Sequence, residues 1–315
     1  MTSAHHPPAP LVRPARLRPG ARVAVVATSG PVVGERLDAG LDILRGWDLD
    51  PVVMPHVRER HPRFGYLAGG DEDRARDLQE AWCDPSVDAV LCARGGYGAQ
   101  RMVDLLDWTA LRAARPKPFV GYSDVTALHE AFALRLGLAT LYGPMVSAGT
   151  FLKDDTTQRS LRTTLFEPEA ARVLAPGTAR PLVPGRARGT TFGGCLALLG
   201  ADVGTPTGRP SAHGGLLMIE DVGEEDYRID RILTQLLRAG SLDGVTGVAL
   251  GSWEECGPYE RVRAVLHERL APLGVPVVEH FGFGHCESAL TVPLGVPAAL
   301  DADAGTLTFE VPALA

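Results

Sequence analysis

The sequence predicts a two-part α/β chain: a doubly wound, mostly parallel sheet in the N-terminal half, then a smaller mixed α+β unit. Three observations carry this. Arg22–Thr28 (RVAVVAT) and Val87–Ala93 (VDAVLCA) are short, nearly unbroken apolar runs, as in strands covered on both faces. Such runs alternate with helical spacings up to about residue 166, the pattern of a layered parallel sheet. Beyond that point, a Pro-, Gly- and Arg-rich stretch gives way to scattered β-like runs and two helices.

In order, Glu35–Trp47 follows the first strand, with Leu37, Leu41, Leu44 and Trp47 at helical spacing. Pro51–Met54 is a second short strand. Asp71–Trp82 predicts a helix, with acids in its first turn and Leu78, Ala81 and Trp82 on one face. The strand Val87–Ala93 runs into Arg94-Gly95-Gly96-Tyr97-Gly98 and a helix carrying Met102, Val103, Leu105 and Leu106. Pro118–Tyr122 is a fourth strand ending at Ser123, and Val125, Leu128, Phe132 and Leu136 mark the next helix. In the second half, Gly215–Ile219, Gly247–Gly251, Val275–Val278 and Thr306–Val311 read as strands, and Tyr227–Arg238 and Tyr259–Leu270 as helices. The expected organisation is a flexible tail (1–18), an α/β domain (19–166), a linker (167–188) and a C-terminal domain (189–315).

Composition narrows the function. A chain of 315 residues, 45% hydrophobic and 22% charged, suits a soluble globular protein. Its net charge of −7, without a basic stripe, sets nucleic-acid binding aside. No apolar stretch approaches bilayer length, and the N-terminus lacks the apolar segment of a secretory signal. Cys83, Cys92, Cys195, Cys256 and Cys286 form no CxxC pair, which fits reduced thiols. The expectation is a cytoplasmic protein without membrane partners.

Ligands of parallel sheets bind beyond the carboxyl ends of the strands, and two such ends are unusual here. The 94–98 turn has three glycines in five positions, so its backbone can approach a ligand with N–H groups free to donate. It lacks the GxGxxG spacing of a dinucleotide site, and a plain structural turn is the alternative. In Phe119-Val120-Gly121-Tyr122-Ser123-Asp124-Val125, a serine stands between strand and helix, as in a nucleophile elbow. The alternative is that Ser123 or Asp124 is only a helix cap. A serine nucleophile needs a base, and the base an orienting acid. His285, in the glycine-flexed Phe281–Glu287 loop, and the acids Glu220 and Asp221, following the run Leu217–Ile219, are candidates, whereas His129 packs along its helix. A metal-dependent hydrolase built on His280, His285, Cys286 and Glu287, and a non-catalytic ligand-binding module, are the competing readings.

Taken together, ARGGYGAQR (93–101), GYSDVTALH (121–129), YGPM (142–145), IEDVGEEDYRIDR (219–231) and FGHCESALTVPLG (283–295) resemble the LD-carboxypeptidase family of serine peptidases, which includes the microcin C immunity proteins. The resemblance runs from about Pro19 to Pro312. It implies an amidotransferase-like N-terminal domain and a C-terminal domain bringing Glu and His. By position it implies Ser123 as nucleophile, Glu220 as orienting acid and His285 as general base. The backbone amides of Asp124 and of Gly95-Gly96 would form the oxyanion hole. It further implies a homodimer that uses no metal or cofactor and cleaves amides of small peptides or peptidyl-nucleotides inside the cell. Family members often carry Asn where Cys195 follows Gly193-Gly194 here. The commonest family activity removes the terminal D-alanine of a murein tetrapeptide. Arg94, Arg228 and Arg231 could meet that substrate's carboxylate, or serve as ordinary salt bridges. The microcin branch stacks an aromatic on a base. No Trp lies between Trp108 and Trp253, although Phe151 and Phe166 do, so the murein reading is favoured.

Overall fold

The computed structural model of the chain describes residues 11–315. Residues 1–10, with most of the expected tail and with His5 and His6, lie outside the described residues. From Leu11 onward the chain is held, which corrects the tail expectation for 11–18. Val12 bridges to Leu138, and the buried Leu17 donates its N–H to the Leu165 carbonyl at 2.9 Å.

The first five strands are β1 (Arg22–Val26), β2 (Asp50–Val53), β3 (Ala89–Cys92), β4 (Phe119–Gly121) and β5 (Thr140–Tyr142). The next nine are β6 (Val173–Leu174), β7 (Arg180–Val183), β8 (Arg186–Cys195), β9 (Gly215–Val222), β10 (Gly247–Glu254), β11 (Val277–Glu279), β12 (Val292–Leu294), β13 (Pro297–Asp301) and β14 (Thr306–Phe309). They form a six-stranded sheet, β12-β5-β4-β3-β1-β2, and an eight-stranded sheet, β6-β14-β13-β8-β9-β10-β11-β7.

In the first sheet β1 to β5 are all parallel. Along β1, Val23 and Val25 pack with Leu37, Leu41 and Leu44 of the Gly34–Gly46 helix. Ala24 and Val26 face the opposite way, onto Leu78 and Trp82 and onto Leu128 and Phe132. Helices cover both faces, which is why the strand reads as an unbroken apolar run. Each fully buried Val or Leu contributes roughly 1.5–3 kcal/mol of transfer free energy. The doubly wound expectation holds.

The second sheet keeps a parallel centre, β8 to β11, with antiparallel flanks. Along β9, Leu217 and Ile219 pack on Ile229 and Leu233 of the Asp226–Arg238 helix and on Leu266 of the Tyr259–Leu270 helix. Leu216 and Met218 face the other way, into a seam with Tyr142, Phe281, Phe283 and Leu294. That seam lies between the two sheets.

Two expectations change. The segment 167–188, read as a linker, holds β6, β7 and the start of β8, so it borders the second sheet on both edges. Its prolines and glycines disguised strands that are short and lie at the rim. The halves are also stitched together: β12, from the second half, pairs antiparallel with β5, Val292 opposite Tyr142. Its Pro293 fits because β12 is an edge strand. Among the described residues no helix is long and apolar enough to cross a membrane.

Candidate active site

The elbow is built at the end of β4. Tyr122 is extended, and Ser123 has φ +63°, in the left-handed region that a non-glycine residue occupies at a cost of roughly 1–3 kcal/mol. A 3₁₀ turn, Ser123–Val125, then opens the helix Thr126–Leu136. The surroundings hold this conformation. The Ser123 N–H donates to the Tyr142 hydroxyl at 3.0 Å, and the Gly121 carbonyl accepts from the Gly143 N–H at 3.0 Å. His129 bridges the same Gly121 carbonyl (Nε2, 2.9 Å) and the Thr140 hydroxyl (Nδ1, 2.8 Å). Burial pushes this imidazole down to about 4.

The helix Thr126–Leu136 has no side-chain cap, so the cap alternative fails for Ser123. The Asp124 carboxylate instead accepts from the Ala99 N–H at 2.8 Å, tying the elbow to the glycine turn. Burial raises its pKa, while hydrogen bonds from Ser29 and Ala99 pull the other way. Gly95 lies under the serine. A methyl group built on it would come within 3.1 Å of Ser123 Cβ and 3.3 Å of Oγ, so any side chain there would crowd the hydroxyl. The Gly95 carbonyl accepts from the Gly30 N–H at 3.0 Å, which docks the turn on the end of β1.

Acid and base come from the second sheet. Glu220, near the carboxyl end of β9, has no solvent exposure. Its Oε2 accepts from His285 Nδ1 at 2.7 Å and from the His285 N–H at 3.1 Å, and its Oε1 accepts from Tyr142 Oη at 2.6 Å. With Nδ1 committed to Glu220, Nε2 is the free end of the imidazole. The ring lies against Tyr122, centroids 4.8 Å apart, immediately before Ser123 in the chain. Burial disfavours the charged imidazole, but the hydrogen bond and charge of Glu220, helped by Asp221, outweigh it and hold the pKa above the ordinary value.

Asp221 points to the other face of β9, because strand side chains alternate. It accepts from the Ala197 N–H at 2.8 Å and the Val222 N–H at 2.9 Å, with the Cys195 thiol 3.4 Å away. Burial lifts it to about 6. Cys195 is thus a buried partner of Asp221, and burial together with that charge pushes its thiol up.

The other expected residues have partners of their own. Arg94 donates to the Pro31 carbonyl at 2.6 Å, Arg228 pairs with Glu224 at 3.3 Å, and Arg231 sits 5.3 Å over the Tyr227 ring. Phe151 is buried edge-on to Trp47, and Phe166 is packed against the same core. The four donors of the metal reading form no ligand group: His280 lies tilted against Tyr259 with centroids 4.4 Å apart, and His285 is bonded to Glu220. Among the described residues the one group with metal-ligand spacing is His56, Glu59 and Asp73. Sequence reasoning gave no role to Tyr142 or Tyr122. For Tyr122 a signal was available, since it follows the parallel strand β4 on the side where ligands bind.

Comparison with known proteins gives a consistent result. The model of the LD-carboxypeptidase N-terminal domain matches residues 23–143, and that of the C-terminal domain residues 188–300. A Streptomyces coelicolor protein with a provisional carboxypeptidase name is 72% identical over 96% of this chain and 98% of its own. The murein tetrapeptide carboxypeptidase of Pseudomonas aeruginosa is 33% identical over 89% and 93%. The microcin C7 self-immunity protein of Escherichia coli is 28% identical over 76% and 78%. The solved muramoyltetrapeptide carboxypeptidase of Oxalobacter formigenes superposes with a TM-score of 0.76 at 29% identity, covering 92% of this chain and 98% of that one. With both halves matched in order and full-length relatives above 30% identity, the chain belongs to the LD-carboxypeptidase family.

Proposed function

We propose that the protein is a serine carboxypeptidase that removes the terminal D-alanine of murein tetrapeptides. The observation that carries this reading is the fully buried Glu220 bonded to His285 Nδ1, with the imidazole lying against the residue that precedes a left-handed serine. In this reading Ser123 attacks the amide carbonyl and His285 Nε2 takes its proton. Glu220 holds the tautomer and balances the imidazolium that forms. The protonated imidazole then gives its proton to the departing D-alanine amine, and water resolves the acyl-enzyme. The N–H groups of Asp124 and of Gly95-Gly96 hold the oxyanion, each worth about 3 kcal/mol when preorganised. The Ser123 N–H is already given to Tyr142, which leaves that task to its neighbours.

The murein substrate is supported by a higher sequence identity to the Pseudomonas aeruginosa murein tetrapeptide enzyme, 33%, than to the self-immunity protein, 28%. The protein would work in the cytoplasm as a homodimer, as the family resemblance implies. The test is turnover of a murein tetrapeptide, with an aminoacyl sulfamoyl adenosine as competing substrate. Ser123→Ala should lower the tetrapeptide rate by several orders of magnitude with the fold intact. Full turnover by that variant would defeat the assignment, and turnover of the nucleotide alone would move the protein to the immunity branch.

A further inference from the structure

We propose that the Tyr142 hydroxyl is a positioning group that locks nucleophile and acid into one register across the two sheets. The inference rests on the Ser123–Glu220–His285 reading and adds a fourth residue to it. Tyr142 ends β5 in the first sheet and is 1% exposed. Its oxygen accepts from the Ser123 N–H at 3.0 Å, and its proton goes to Glu220 Oε1 at 2.6 Å. The direction is forced, because an amide N–H can only donate and a phenol has a single proton. One oxygen therefore spans from the strained backbone of the elbow to the acid of the other sheet.

The consequences are specific. Glu220 accepts at both oxygens: Oε1 from Tyr142, and Oε2 from the ring and the backbone of His285. That arrangement settles the carboxylate's orientation, and with it the Nδ1–H tautomer of His285. The 2.6 Å contact is short for an O–H donor, as expected for a bond to a carboxylate. Burial, followed by the charge of Glu220, keeps the phenol protonated, so it remains a donor throughout turnover. The phenyl ring lies in the seam with Phe283 and Met218, so removal of the oxygen alone leaves the packing in place.

The experiment compares Tyr142→Phe with the wild type and with Ser123→Ala on a murein tetrapeptide. Three readouts are taken: kcat and KM, the acid limb of the kcat/KM profile, and the fraction of enzyme labelled at Ser123 by a fluorophosphonate. Loss of one charge-assisted hydrogen bond predicts a kcat lower by roughly 10- to 100-fold with KM nearly unchanged. A purely structural defect would instead lower the labelled fraction and leave the rate per labelled molecule normal.

The acid limb should move to higher pH, because Glu220 stripped of a donor holds the proton on His285 more tightly. His285 touches Glu220 and the Tyr122 ring and feels the charge of Asp221 from the other face of β9, while the charge of Glu220 is also felt by the thiols of Cys195, Cys256 and Cys286; none of these groups is altered by the substitution. Should Tyr142→Phe fail to fold, 3-fluorotyrosine at position 142 keeps the size and makes a stronger donor, and the limb should then move to lower pH. A normal kcat with an unmoved limb, or a normal rate per labelled molecule, overturns the inference. If Ser123→Ala is inactive at the same time, the triad reading survives that failure. Turnover by Ser123→Ala would defeat both.

Discussion

Replacing Gly284 by alanine would drive a methyl group into Glu220. Gly284 has φ +95°, and a Cβ built there lies 2.2 Å from Glu220 Oε2 and 2.4 Å from its Cδ, where ordinary contact begins near 3.4 Å. The carboxylate cannot retreat easily, since it is fully buried on β9 and held at Oε1 by Tyr142. The glycine loop must give way by about 1 Å, a displacement of the size that costs about 100-fold in rate when it moves a catalytic group. The 2.7 Å bond from His285 Nδ1 to Oε2 would then stretch past hydrogen-bond range. The left-handed backbone adds roughly 1–3 kcal/mol of strain for any side chain. Gly282→Ala is the matched control. It has φ +68°, but its Cβ meets nothing closer than Pro176 Cβ at 3.6 Å, so it carries the strain without the collision. Urea unfolding should show both variants destabilised, and steady-state kinetics on the tetrapeptide should show kcat falling about 100-fold in Gly284→Ala alone. Equal kcat in the two variants would refute the idea that Gly284 sets the imidazole by letting the loop touch Glu220.

The pH profile gives a second test. His285 is held above 6.5 by Glu220 against the effect of burial, and the base must be neutral to act. Activity should therefore fall, as pH is lowered, through a midpoint above 6.5; in Glu220→Gln, with burial unopposed by that charge, the midpoint should drop. An acid limb below 6.5 in the wild type would contradict the geometry. Glu130 on the Thr126–Leu136 helix takes two hydrogen bonds from Arg209, at 2.8 and 3.2 Å, and thereby joins the two halves. Glu130→Leu leaves the guanidinium without that partner and should lower stability by about 3 kcal/mol in urea titration, with Arg209→Met on the same chain recovering much of it. Single and double variants of equal stability would remove the pair from the account.

The strands of the first sheet that could be read from the chain are those whose chemistry is local. β1, β3 and β4 are continuous apolar runs because helices cover both faces, and the helices between them show their buried stripe at 3.6-residue spacing. The three-residue β5 and the proline-bearing β12 have no such pattern. Tertiary pairing makes them strands: β12 is held by β5 across 150 residues of chain, and β5 lies between β4 and β12. The serine between strand and helix was likewise visible as a motif.

The choice of Glu220 over Asp221 was not visible in the strand itself, since adjacent acids at a strand end look alike in one dimension. It came with the family resemblance, and its physical basis is the pleat. One acid faces the seam where His285 and Tyr142 lie, and the other faces Ala197 and Cys195. Tyr142 carried no sequence signal of its task, because that task exists only where the end of β5 reaches Glu220 of the other sheet. Local sequence determined the doubly covered strands, the elbow and the amphipathic helices; the order and facing of the two sheets brought Glu220, His285 and Tyr142 together at the backbone of Ser123. Hydrogen bonds between groups so distant in the chain depend on that packing, and no spacing along the chain encodes them.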